Sequence, residues 1–261
     1  MNIRTANGAV VVYLVALAIL GIPLIALMAT LDKAAAEGFV VLFMFAPAAA
    51  AIVAHVATGQ HIRLGRPDWR SLLLAVVPTL LVAALYVVGL GFGIRWLGLS
   101  TSPVDLVGGI LVACVLAFGE ELGWRGYLLP QLRRGHGYLG ANAIVYVAWL
   151  AYHVPVIFIP GLYSNAGIPL IANLGLFALS ILGFSFFVGA LWEISRDVWA
   201  PTFAHGFWNS VVQSVLPAMF VADSAWLMGE FGVLAAVGMA VLFLMVAPIA
   251  ARRHPGPLAS G

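Results

Sequence analysis

The sequence predicts an all-α polytopic membrane protein of about eight transmembrane helices, with the N-terminus and the C-terminus both cytoplasmic. Three observations carry this. Of the 261 residues, 63% are hydrophobic and only 8% are Asp, Glu, Lys or Arg, against about 45–50% and about 25% in an average soluble domain. The apolar residues fall into eight runs, each close to the roughly 20 residues a helix needs to cross a hydrocarbon core about 30 Å thick. The cations are then spread unevenly over the connections between the runs.

The first run, 9–31, follows Arg4. It is longer than a signal-peptide h-region, so it is expected to remain a span, although Ala34-Ala35-Ala36 imitates a cleavage site. The second, 38–57, follows Lys33 and carries His55 at its cytoplasmic end. Arg63, Arg66 and Arg70 precede the third, 71–94, and Arg95 follows it. The fourth, 106–129, ends before Arg133 and Arg134. The fifth, 139–160, and the sixth, 167–192, are divided by Pro160-Gly161 and by the polar Tyr163-Ser164-Asn165, a turn signal. Glu193, Arg196 and Asp197 read as an ordinary cytoplasmic turn before the seventh, 198–221. The eighth, 226–250, ends before Arg252 and Arg253. With the N-terminus inside, nine cations lie on the cytoplasmic side and two, Lys33 and Arg95, lie outside. An even number of spans follows, because both ends of the chain fall on the basic side. The chain reads as a single transmembrane domain over 1–261 whose motif-bearing core is about 106–221.

Other classes are excluded. So little charge cannot cover a soluble surface, and so much apolar surface cannot remain a solvated coil. The 28 glycines have no three-residue period, and Cys114 is the only cysteine, so no internal disulfide forms. A net charge of +2 without a basic cluster is no nucleic-acid footprint, and no nucleic-acid partner is expected. Membrane lipid is the expected surroundings. Eleven of the twelve cations are Arg and Ala is abundant, a bias that suggests a GC-rich bacterial genome and hence a bacterial inner membrane.

An ionisable group inside a span is costly and is a functional hypothesis by default. Here such groups are concentrated. The fourth span contains Glu120, Glu121 and Arg125, the fifth contains His153, and the seventh contains His205 and Asn209. Glu121 and Arg125 are four residues apart, so they share a helix face and can neutralise each other. Glu120 is rotated about 100° from Glu121 and needs a partner from another helix, with His153 and His205 the candidates. Gly119, Gly123 and Gly126 would let other helices approach closely. His205 and Asn209 share a face one turn apart, and the Asn209 amide suits a carbonyl or a developing oxyanion. Trp124, Trp149 and Trp208 read as packing or interfacial aromatics.

These residue types describe attack of water on a carbonyl, by either of two routes. Glu120, His153 and His205 could hold a divalent metal such as Zn²⁺, which lowers the pKa of its water to about 7. Alternatively a desolvated glutamate oriented by a histidine activates water directly. No Gly-x-Ser-x-Gly or Gly-Lys-Ser/Thr loop is present, which argues against a serine nucleophile and an ATPase. From the assumed span ends, Glu120 and His205 lie about 14 and about 10 Å deep and His153 about 20 Å, so a kink or tilt must bring His153 level.

At these residues the sequence resembles the CPBP intramembrane proteases, a family that includes CAAX prenyl endoproteases of the Ras-converting type and bacteriocin-processing or immunity proteins. Its Glu-Glu-x-x-x-Arg motif is matched by Glu120-Glu121-Leu-Gly-Trp-Arg125, and its His-x-x-x-Asn motif by His205-Gly-Phe-Trp-Asn209. Its Phe-x-x-x-His motif reads Trp149-Leu-Ala-Tyr-His153, with a changed aromatic that is expected only to pack. The resemblance covers about 110–215. It implies an eight-helix core, a site opening toward the cytoplasm, Glu120 as the base assisted by His153, and His205 and Asn209 at the oxyanion or His205 as a metal ligand. Glu121 and Arg125 would orient the site. The expected activity is an intramembrane endopeptidase acting near the cytoplasmic face on a peptide or membrane-anchored protein. A non-enzymatic scaffold or immunity protein on the same fold, and a transporter using Glu120, His153 and His205 as a proton relay, are the alternatives.

Overall fold

The computed structural model describes residues 3–99 and 101–258, with side chains from Ala6 onward. The cation expected at Arg4 and the last residues of the C-terminus lie outside the described side chains. Eight helices run up and down among the described residues. They are α1 (Ile3–Met28), α2 (Lys33–Thr58), α3 (Trp69–Gly89, with an irregular turn at 75–76), α4 (Pro103–Leu132), α5 (Tyr138–Ile157), α6 (Leu170–Ser195), α7 (199–219) and α8 (Val233–Arg253). Seven are long and apolar enough to cross a membrane, and α7 is the exception. The protein is an all-α, multi-pass membrane protein. Its outward faces carry bare apolar side chains such as Val56, Val104 and Ile171, which lipid tolerates and water does not.

Local chemistry sets most of the helix ends. The Asp32 side chain accepts from Ala35 N at 2.9 Å and starts α2, and Gly59 ends it in the left-handed region at φ 69°. Asp68 caps α3, and Ser102 caps α4 with Pro103 in the first turn, where the missing N–H costs nothing. α6 closes on Arg196 at φ 55°. Asp197 is buried rather than part of a solvated turn, because its Oδ1 accepts from Trp199 N and Ala200 N and caps α7.

The elements differ from the sequence reading mainly in α7 and α8. The predicted run 198–221 becomes an α-helix over Trp199–Ser210, a π-helical turn over Val211–Val215, a last α-turn over Leu216–Met219 and a strand. This helix carries His205, Asn209, Ser210, Gln213 and Ser214 and is packed between α4 and α6, with His205 and Ser210 buried and Gln213 and Ser214 exposed. Residues 226–232, predicted as the start of the last span, form a connection, and α8 begins only at Val233. Two three-residue strands were not expected. β1 (Ile94–Trp96) pairs antiparallel with β2 (Phe220–Ala222), Ile94 opposite Ala222. Strands this short show no readable alternation.

Small residues set the helix spacing around the centre of the bundle. A Cβ on Gly119 would lie 2.7 Å from Met44 O, and one on Gly123 would lie 2.6 Å from Pro47 O, so α2 and α4 touch backbone to backbone. A Cβ on Gly206 would meet Cys114 Cα at 2.5 Å, which brings α7 equally close to α4. α4 itself passes through a π-helical turn over Trp124–Leu128, directly after the two glutamates. Such turns are common at functional sites.

Candidate active site

The arginine-bearing end of the bundle is sealed. Glu193 is buried and is met by two arginines and a histidine: Arg133 Nε, Arg196 Nη2 at 2.6 Å and His254 Nδ1 at 3.5 Å. This corrects its reading as a member of an ordinary turn, and Arg133 is likewise buried. The segment after α8 is tied down as well, through Leu258 N to Arg133 O at 2.7 Å and Arg133 Nη1 to Gly256 O at 2.8 Å. The 59–68 connection lies across the same end. Its Arg63 N donates to Gly126 O at 2.8 Å, and Val198 N donates to Leu64 O at 3.0 Å.

This packing levels the depths that sequence counting left uneven. α4 extends to Leu132, so Glu120 stands about 18 Å from that end and His153 about 22 Å from the start of α5. α7 does not start at the surface. Val198 packs on Gly126, already about 9 Å into α4, and His205 lies about 9 Å further on. The three side chains therefore sit at similar depth.

Glu121 and Arg125 pair as their spacing requires. Arg125 Nη1 reaches Glu121 Oε1 at 3.0 Å and Oε2 at 3.1 Å, and both side chains are fully buried. Arg125 Nη2 donates to Ser185 O and Oγ of α6, and the guanidinium stacks 4.8 Å above the Trp149 ring. His205 Nδ1 donates to Glu121 Oε1 at 2.9 Å. His205 is thus held by Glu121 and not by Glu120.

Glu120 is held by tryptophans. Trp124 Nε1 donates to its Oε2 at 3.1 Å and Trp149 Nε1 donates to the same oxygen at 2.8 Å. The expectation that Trp124 and Trp149 only pack is therefore corrected. The other oxygen, Oε1, faces His153 Nε2 at 3.8 Å. His153 Nδ1 donates to Trp149 O at 3.0 Å, which leaves Nε2 as the lone-pair nitrogen of the neutral ring. Of the two candidates for Glu120, it is His153 that approaches.

Glu120, Trp149, His153, His205 and Asn209 line a cavity of about 180 Å³. Its remaining wall includes Met28, Glu37, Leu162, Tyr163 and Glu230, all at or near the end of the bundle remote from Arg133 and Arg196. The resemblance implied an opening toward the cytoplasm. The cavity runs to the end remote from Arg133 and Arg196, while the 59–68 connection and the Glu193 cluster cover the arginine-bearing end. Sequence reading also passed over Glu230. Its signal was the same one that marked Glu120, an acid within a predicted span, but it stood apart from the other motifs.

All three motifs belong to one continuous stretch of helices α4 to α7. Residues 102–211 match the family described as type II CAAX prenyl endopeptidase Rce1-like. This agrees with the CPBP/CAAX protease resemblance, and Glu120, Glu121, Arg125, His153, His205 and Asn209 all fall inside the matched segment. No curated protein matches the chain. The Rce1-like segment contains all three motifs but leaves out Met28 of α1, Glu37, Val40, Phe43 and Met44 of α2, Gln213 and Glu230, which complete the cavity wall.

Among the described residues no three His, Cys, Asp or Glu side chains converge as a metal set.

Proposed function

We propose that this protein is an intramembrane endopeptidase that hydrolyses a peptide bond with water activated by Glu120. The observation that carries the reading is the state of Glu120. It is buried, one oxygen is saturated by two indole donors, and the other faces His153 Nε2 at 3.8 Å inside a cavity. That gap is wider than a direct hydrogen bond and is suited to a water molecule shared by the two side chains. Glu120 takes the water proton as the oxygen attacks the carbonyl carbon, and His153 holds the water's second hydrogen. The carbonyl oxygen becomes an oxyanion, which the Asn209 amide and His205 Nε2–H, when His205 is protonated, can receive. The proton on Glu120 then passes to the leaving amine as the C–N bond breaks. Glu121 and Arg125 remain a neutral pair that fixes His205. No step runs through a metal.

The substrate class that fits is a peptide or a membrane-anchored protein segment, presented at the arginine-poor end where the cavity opens. The protein is proposed to reside in a bacterial inner membrane. The test is cleavage of a quenched-fluorescence peptide library by purified protein, by Glu120→Ala and by either in the presence of a chelator. Cleavage abolished in Glu120→Ala and unaffected by chelation supports this reading. Cleavage abolished by chelation and restored by Zn²⁺ replaces it with the metal route, and full activity in Glu120→Ala refutes it.

A further inference from the structure

We propose that Glu230 is a positioning residue of this site, one that fixes the direction of the Asn209 amide through Gln213. The inference rests on the peptidase reading above and adds to it a residue that lies outside the matched segment.

Glu230 belongs to the connection between β2 and α8, yet it is buried and lines the cavity. Its carboxylate is met only by neutral donors. Trp208 Nε1 donates to Oε1 at 2.9 Å, while Tyr163 Oη at 2.5 Å and Gln213 Nε2 at 2.9 Å donate to Oε2. Among the described residues no cation pairs with it. Burial, and then the adjacent Glu230, hold the Tyr163 phenol well above its ordinary pKa, so it stays an O–H donor.

In all three bonds it is a Glu230 oxygen that accepts. Gln213 must therefore turn its NH₂ group, and not its carbonyl, toward Glu230. The same nitrogen carries a second hydrogen, and Gln213 Nε2 lies 3.2 Å from Asn209 Oδ1. Asn209 thus spends its carbonyl on Gln213, and its own NH₂ is the end left for a ligand in the cavity. The chain of constraint runs from the Glu230 carboxyl to one amide and from that amide to the next. With a neutral group at 230, Gln213 is free to rotate by 180° and to accept from Asn209 Nδ2. Asn209 would then offer a carbonyl oxygen to the developing oxyanion, replacing attraction with repulsion.

The experiment uses the full-length protein and the best-cleaved peptide of the quenched-fluorescence library. Glu230→Gln and Gln213→Met are each expected to lower kcat by about 10²- to 10³-fold, the loss typical of one oxyanion donor, with KM nearly unchanged. Each is expected to add less than about threefold to the loss in Asn209→Ala, because the effect is transmitted through that amide. Retention of kcat within about threefold in either variant overturns the proposal. So does a Glu230→Gln loss that multiplies in full onto Asn209→Ala, which marks a general structural role. If Glu230→Gln does not fold, Gln213→Met decides, since it leaves Tyr163 and Trp208 on Glu230. A folded wild type that cleaves nothing in the library overturns the peptidase reading itself, and this proposal with it.

Discussion

Arg125 gives the sharpest test of how the centre of this bundle is held. Replacing it with Met keeps similar length and removes the charge. The substitution deletes two contacts to Glu121, at 3.0 and 3.1 Å, and two to Ser185, at 3.2 and 3.1 Å. It also deletes the stack on Trp149. Glu121, with no exposed surface, is left with His205 as its one remaining side-chain partner. Removing one partner of a buried pair costs about 3–5 kcal/mol, mostly the penalty of the charge left behind. At about 1.4 kcal/mol per factor of ten, the unfolding equilibrium shifts by about 10² to 10^3.5. Arg125→Lys keeps the charge but not the planar fork, so it should lose the Ser185 bonds and fall between wild type and Met. The double variant Glu121→Gln/Arg125→Met should be more stable than Arg125→Met alone, because no uncompensated carboxylate remains. Equilibrium unfolding in mixed micelles measures all four proteins. Arg125→Met within about 1 kcal/mol of wild type, or a double variant no better than the single, would refute the reasoning.

Four further outcomes are expected. Trp149→Phe introduces the family's Phe but removes the 2.8 Å bond to Glu120; unfolding measurements should show a loss of about 1.5–3 kcal/mol, typical of one hydrogen bond to a charged group, and peptide cleavage should slow. Gly206→Ala places a Cβ 2.5 Å from Cys114 Cα; forcing α7 off α4 should cost about 1–3 kcal/mol and separate His205 from Glu121, seen as lost activity with a lowered melting point. In a Cys114→Ser background, a cysteine at Glu37, on the cavity wall, should react with an impermeant maleimide on intact cells, and one at Arg66 only after lysis; the reverse pattern would place the cavity on the cytoplasmic side. Asp68 is held below its usual carboxylate range, first by the Ser71 hydroxyl and then by backbone N–H groups. A depressed folded-state pKa stabilises above the unfolded value of about 3.9 and is lost as pH falls through the folded value, so the stability gap between wild type and Asp68→Ala should close below about pH 4.

Much of the bundle is legible in one dimension because lipid imposes a length and a polarity on every span. α1, α2, α5 and α6 lie within a few residues of their apolar runs. The π-helical turn in α7 and the strand that ends the 198–221 run do not show in hydropathy, which averages over a window and dilutes the polar residues with Trp199, Phe203, Phe207 and Trp208. The Glu121–Arg125 contact is visible in sequence because helix geometry alone creates it. The bond from Trp149 to Glu120 is not, because it joins residues 29 positions apart on helices whose relative rotation no single-helix pattern encodes.

By itself, then, the order of residues determined that the chain crosses a membrane several times, and that Glu120, Glu121, Arg125, His153 and His205 gather in α4, α5 and α7. These are local properties: helix period, span length and the cost of a charge in hydrocarbon. Only the tertiary structure decided which histidine meets which glutamate, that indole groups hold Glu120, that Glu230 joins the cavity, and which end of the bundle is open. Each of those depends on how far one helix slides and rotates against another. Backbone contacts at Gly119, Gly123 and Gly206 set that packing, and the buried Arg133–Glu193 pair closes the arginine-rich end.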